Sequence, residues 1–262
     1  MAAGQHQKMK MEKNNLIFTE RRNDSQKGSI FFYILLGIVL FSALAFTVSR
    51  GFRGQSVNAL TDRKAELVAT SILDYAQEVR YAVDLLRRRG CSETQFNFNP
   101  PSENYYTNPN SPVDGSCDVF GVSGGNVLSQ DALDMGALDQ AMTGWAAGPD
   151  NWYISSYALA ISGVGPTSIQ RADLVMWTWY VNDKVCMAIN KILGIENTNG
   201  LPPKDVRFDF GGTKYNGTIN VAYNSRIVNT TANETEGEEA GCFFDNDGTG
   251  ERNYFYQVLI AE

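Results

Sequence analysis

Three patterns of hydrophobic and polar positions follow one another along the chain. From Gly28 to Ser49 there is no Asp, Glu, Lys, Arg or His. At about 1.5 Å per helical residue, such a run can cross a hydrocarbon core of roughly 30 Å, so residues 29–49 are expected to form a transmembrane helix rather than a buried core helix or a removable secretory signal. Between Gln55 and Arg89, the residues Val57, Leu60, Leu67, Ile72, Tyr75, Val79, Ala82 and Leu86 recur at the spacing of one helical stripe. Asp62, Arg63, Glu66, Glu78 and Arg80 fall mostly elsewhere, and Lys64 interrupts the stripe. Residues 50–90 therefore read as an amphipathic helix continuing the span. Gly51 and Gly54 each cost about 1 kcal/mol relative to Ala inside a helix and mark the weakest point of the rod. The helix is expected to stop at Gly90, where a glycine follows three arginines that complement the negative end of the helix dipole.

Beyond residue 90 the pattern changes. Residues 97–117 are crowded with Asn, Pro, Ser and Gly and predict a long surface loop that needs tying down, which a Cys91–Cys117 bridge would do. Residues 131–147 predict a short helix. The aromatic and β-branched content of 152–163, 172–181 and 253–260 predicts strands, and 207–228 predicts a hairpin turning at Asn216-Gly217. Val185, Ile189 and Ile192 or Leu193, behind an Asn182 or Asp183 cap, predict a second short helix. The fold class expected is α+β, with an antiparallel sheet packed against the C-terminal half of the long helix.

Charge and cysteine placement add orientation. Residues 1–50 carry seven Lys/Arg against three Asp/Glu, and residues 51–262 carry fifteen against twenty-six. An acidic body repels phosphate backbones, and the one basic run, Arg87–Arg89, lacks interleaved aromatics, so nucleic acid is not an expected partner. Lys8, Lys10, Lys13, Arg21, Arg22 and Lys27 precede the uncharged run, which favours a cytoplasmic N-terminus for a single-pass protein of the inner membrane. All four cysteines, Cys91, Cys117, Cys186 and Cys242, follow it, as expected of an extracytoplasmic body in an oxidising compartment. Four cysteines allow three pairings, and a zinc site would lack ligands, because no CxxC pair exists and the one histidine is His6.

A basic leader (1–28) ending in Lys27-Gly28, an uncharged segment (29–49), an amphipathic extension (50–90) and a cysteine-bearing body (91–262) together resemble type IV pilins and type II secretion pseudopilins. The motif-like part of the resemblance covers about the first sixty residues. It implies a pilin-like fold and cleavage between Gly28 and Ser29 by a prepilin peptidase, followed by methylation of the new terminus. It also implies extrusion by an assembly platform into a cell-surface or periplasmic filament of pilin-like subunits, with Gly37, Ser42, Ala43 and Ala45 permitting close helix approach. Small residues are also ordinary in any membrane helix. Tyr33 stands where most such pilins carry a glutamate, and Ser29 stands where phenylalanine is commoner; minor pseudopilins at filament tips also lack that glutamate. The resemblance further implies a Cys186–Cys242 bridge bounding a variable C-terminal region.

Candidate chemistry is sparse. Asp245, Asp247 and Glu251 place three carboxylates along a glycine-rich turn that a calcium ion would favour, although the spacing is not that of an EF-hand and the same residues make plain turns. No other cofactor is implied. The run Glu234, Glu236, Glu238 and Glu239 reads as a solvated loop. Asn216, Asn229 and Asn233 head glycosylation sequons. With no histidine beyond the leader, no GxSxG elbow and no P-loop, an enzyme is not expected, and a carboxylate-based hydrolase is a distant third reading. The first reading is a structural filament subunit. The second is a membrane-anchored binding or adhesion module that does not assemble.

Overall fold

The computed structural model describes residues 27–101, 103–144, 147–155, 157–165, 173–205, 214–218, 220–226, 235–245 and 252–261. The chain divides into two compact units, residues 1–57 and 58–262. Helix α1 covers Lys27–Arg88 and stays helical through Gly51 and Gly54.

In the first unit, the side chains described are those of residues 31–43, and all of them are exposed. Among the described residues no helix is long and apolar enough to cross a membrane. This corrects the expectation of a transmembrane helix over 29–49, and with it the single-pass inner-membrane placement and the extracytoplasmic and cell-surface or periplasmic assignments built on that span. Absence of charge over 28–49 makes a segment apolar; it does not decide what covers it.

In the second unit, α1 presents Ala65, Val68, Ala69, Ile72, Leu73, Tyr75, Ala76, Val79, Ala82, Val83 and Leu86 to the core. Ile72, Tyr75, Val79, Ala82 and Leu86 were expected there. Leu67 was too, but it sits on the opposite face and is 71% exposed, because the buried arc is set by small alanines that sequence reading underweights. The side chains of Val57 and Leu60 lie outside the described residues. The helix ends as expected: Gly90 adopts φ +99, its N–H bonds Arg87 O, and Cys91 N–H bonds Leu86 O, which is a Schellman closure.

The body is α+β. Strands β1 (Tyr153–Ile154), β3 (Leu174–Trp179), β7 (Arg252–Ile260), β6 (Ala240–Asp245) and β4 (Lys204–Asp205) form one sheet in the order β1-β3-β7-β6-β4. Its first three pairings are antiparallel, and β4 joins β6 in parallel. Strands β3 and β7 are buried along nearly their whole length because both faces are covered. Met176, Phe255 and Leu259 point into the core shared with α1, whereas Trp177, Trp179, Tyr254 and Tyr256 build a second, aromatic core on the other face. The period-2 alternation of a strand thus divides positions between two cores rather than between core and solvent.

Helix α2 (Asp183–Leu193) forms where the spacing predicts it. The Asn182 side chain accepts from Lys184 N–H as the N-cap, and Gly194 at φ +81 closes the C-terminus.

One expected element is absent from the described residues, and another is described only in part. Residues 131–144 and 147 contain no α-helix. Asp131 Oδ1 accepts from Leu133 N–H at 2.7 Å, and Gly136 lies at φ +77, so the chain turns instead of propagating. The Asn216-Gly217 turn does form, with Asn216 Oδ1 accepting from Thr218 N–H and Gly217 at φ +81. Among the described residues no strand pairs across it. Lys214 bridges to Ser155, and β5 (Asn220–Arg226) runs parallel to β2 (Tyr157–Ala160). Residues 206–213 lie outside the described residues.

Candidate functional site

The expected filament-packing residues fall on one exposed segment. Its large side chains, Phe31–Leu36 and Ile38–Phe41, are each between 45% and 74% exposed. They surround the helix on every side instead of forming a stripe. Gly37 has open space around it, and Ser42 and Ala43 are exposed. The side chain of Ala45 lies outside the described residues. Gly28 and Ser29 are in the first turn of α1, their side-chain environment and the leader through residue 26 lying outside the described residues. Tyr33 is exposed and meets Phe32 edge-on at 6.2 Å.

Of the three pairings open to the cysteines, the structure contains Cys91–Cys117 and Cys186–Cys242. The second bridge joins α2 to β6, and one turn further along α2 the fully buried Asn190 grips the same strand. Its Oδ1 accepts from Cys242 N–H at 2.9 Å and its Nδ2 donates to Cys242 O at 2.8 Å. Two residues on, Phe244 N–H donates to Pro203 O at 2.8 Å, beside β4. The asparagine therefore extends the cover of an edge that a two-residue strand leaves short.

Asp245 ends β6, buried, opposite Arg252 of β7. Asp247 and Glu251, the other two residues of the candidate calcium loop, lie outside the described residues. Among the described residues no group of three His, Cys, Asp or Glu side chains is placed to hold a metal. The glutamate run is partly engaged, since Arg80 pairs with Glu239. Asn216 is exposed, while Asn229, Asn233 and Glu234 lie outside the described residues.

Sequence reading overlooked a cavity of about 590 Å³ lined by residues between Asn97 and Ser123, which include much of the loop closed by Cys91–Cys117. Its walls are held by asparagines acting as backbone clamps. Asn99 accepts from Tyr106 N–H and donates to Tyr106 O, both at 2.5 Å. Asn108 donates to Thr94 O at 2.9 Å and Phe96 O at 2.7 Å, and accepts from Asn110 N–H at 2.9 Å. Asn97 donates to Asp118 Oδ1 at 2.9 Å. The chain wraps so closely on Asp118 that a Cβ at Gly124 would lie 2.1 Å from its carbonyl oxygen. Beneath the loop, burial raises the Tyr106 hydroxyl well above the ordinary tyrosine range, with its oxygen accepting from Ile154 N–H at 2.8 Å. Asp114 is held below the usual carboxylate range by the Ser116 backbone N–H. The density of Asn and Pro over 97–112 was the available signal, but composition alone reads as loop.

No family model matches the chain, and neither the curated proteins nor the solved structures give a match.

Proposed function

We propose that this chain is a non-catalytic structural subunit that assembles, in the manner of a pilin or pseudopilin, through the apolar N-terminal part of α1. The observation that carries this reading is exposure on every side of the helix over Phe31–Ala43. An apolar stripe is covered by one neighbour, whereas a helix apolar all round needs neighbours all round. Copies of the same segment, packed as a helical bundle at the centre of a filament, supply them. Gly37, Ser42 and Ala43 let backbones approach within such a bundle. The disulfide-tied body has the independent core expected of a subunit that carries its own stability outside the assembly. Tyr33, in place of a pairing carboxylate, favours a minor subunit, because no fixed charge sets its register.

The test uses the full chain. Electron microscopy and light scattering are expected to reveal filaments or multi-subunit bundles, alone or with a pilin-like partner. Leu35→Asp with Val39→Asp is expected to abolish them while leaving the melting temperature of the body unchanged. A processed terminus at an N-methylated Ser29, read by mass spectrometry, would support the pilin comparison, and an intact leader would count against it. A monodisperse monomer under all these conditions sinks the assembly reading and favours a binding module instead.

A further inference from the structure

We propose that the asparagine-walled cavity between residues 97 and 123 binds a neutral polyhydroxylated ligand, a short glycan. This goes beyond the assembly reading and does not depend on it.

Four observations lead there. The volume, about 590 Å³, falls within the roughly 300–1,000 Å³ of small-molecule sites. Charge disfavours one class of ligand: among the described residues the lining holds the carboxylates of Asp114 and Asp118 and no Lys, Arg or His, so phosphates and other anions meet repulsion without a counter-charge. The site is pre-organised, since Asn97, Asn99 and Asn108 spend their amides on the loop itself, and the Cys91–Cys117 bridge ties the same segment of chain.

The fourth observation concerns the groups left over. Asp118 Oδ1 accepts from Asn97 and, at 3.4 Å, from Ser111 Oγ, whereas no hydrogen bond reaches Oδ2 among the described residues. Glycines flank that oxygen: a Cβ at Gly115 would stand 3.1 Å from it and one at Gly121 3.3 Å. Their absence keeps the acceptor open. Thr107 and Ser123 add hydroxyls, and the exposed Val122 gives an aliphatic edge for the C–H face of a sugar ring. An ionised acceptor beside hydroxyls and an aliphatic edge suits a ligand rich in O–H donors. A bare divalent cation fits less well. It needs six to eight oxygens at close range, and the amide oxygens of Asn97, Asn99 and Asn108 already accept from the backbone.

The experiment is an amide-shift titration of the isotopically labelled full chain. The probes are neutral trisaccharides of glucose, N-acetylglucosamine, mannose and galactose, with inorganic phosphate and calcium chloride as separate arms. At least one sugar is expected to shift amides of Asn104, Thr107, Asp118 and Ser123, and phosphate to shift none. Asp118→Asn preserves the size of the side chain but removes the charge, and is expected to weaken that sugar about tenfold, the loss of one charge-assisted hydrogen bond. Val122→Arg, on the exposed rim, tests the aliphatic edge without touching the loop's own bonds and is expected to weaken it severalfold. The proposal is overturned if no sugar shifts the loop, if the shifts lie elsewhere, if both variants bind like the parent, or if calcium alone moves these amides.

Discussion

Removing the Asn190 side chain isolates one buried clamp and gives a magnitude that can be worked from the structure. Asn190 is fully buried, and its amide makes bonds of 2.9 and 2.8 Å to Cys242 N–H and C=O and a third, of 3.0 Å, to Asn197 Oδ1. Asn190→Ala strands both backbone groups of Cys242. A buried donor or acceptor left without a partner costs about 1–3 kcal/mol, so two cost roughly 4 kcal/mol. The Cys186–Cys242 bridge still holds α2 against β6, so the loss is one of satisfaction rather than of tethering. Urea unfolding followed by tryptophan fluorescence, with disulfides oxidised, reads the change as a lowered midpoint at unchanged slope. Amide exchange at Cys242 should speed up in parallel. Asn190→Asp keeps the acceptor for Cys242 N–H but sets a carboxylate against its carbonyl, and is expected to be at least as damaging. An Asn190→Ala variant within about 0.5 kcal/mol of the parent, the range of ordinary surface changes, would refute the clamp.

The two bridges should rank by the loops they close. Opening Cys186–Cys242, separated by 56 residues, is expected to cost about 4 kcal/mol, and opening Cys91–Cys117, separated by 26, about 3.5 kcal/mol, measured on paired Ser variants. Stability should also fall at alkaline pH. Burial pushes Tyr75 up to about 12 and also raises Tyr106 and Tyr215, so these groups hold their protons more tightly folded than unfolded. Their contribution is complete below pH ~10 and is lost as pH rises through the folded values, by up to about 1.4 kcal/mol per pH unit for each, in a pH series of unfolding curves. Gly90→Ala forces a Cβ into φ +99 at the end of α1 and should cost about 1 kcal/mol in thermal melts. Neutralising Lys184 or Lys191, which pair with Asp62 at 2.8 Å and Glu66 at 2.7 Å in exposed positions, should barely move the unfolding midpoint at low salt and leave it unchanged at high salt.

What the sequence determined on its own is whatever depends on neighbours along the chain. The α1 stop at Gly90, the Asn182 cap and extent of α2, and the strands at 174–179 and 252–260 are written in local spacing, capping and residue shape. The polar loop at 97–117 was legible in the same way, as was the turn at Asn216-Gly217. Tertiary structure decided whatever depends on partners distant in sequence. It set which face of α1 is buried, leaving Leu67 outside, because the arc is chosen by what packs against it. It paired β5 with β2 in parallel, and selected one of three cysteine pairings. It also corrected the membrane span. Apolarity is a property of residues 28–49, whereas the environment that covers them is not encoded in their spacing. The same holds for the candidate cavity: asparagines that read as loop formers become walls only when Asn97 meets Asp118 and Asn108 reaches back to Thr94 and Phe96, contacts made between strands of chain that no periodicity links.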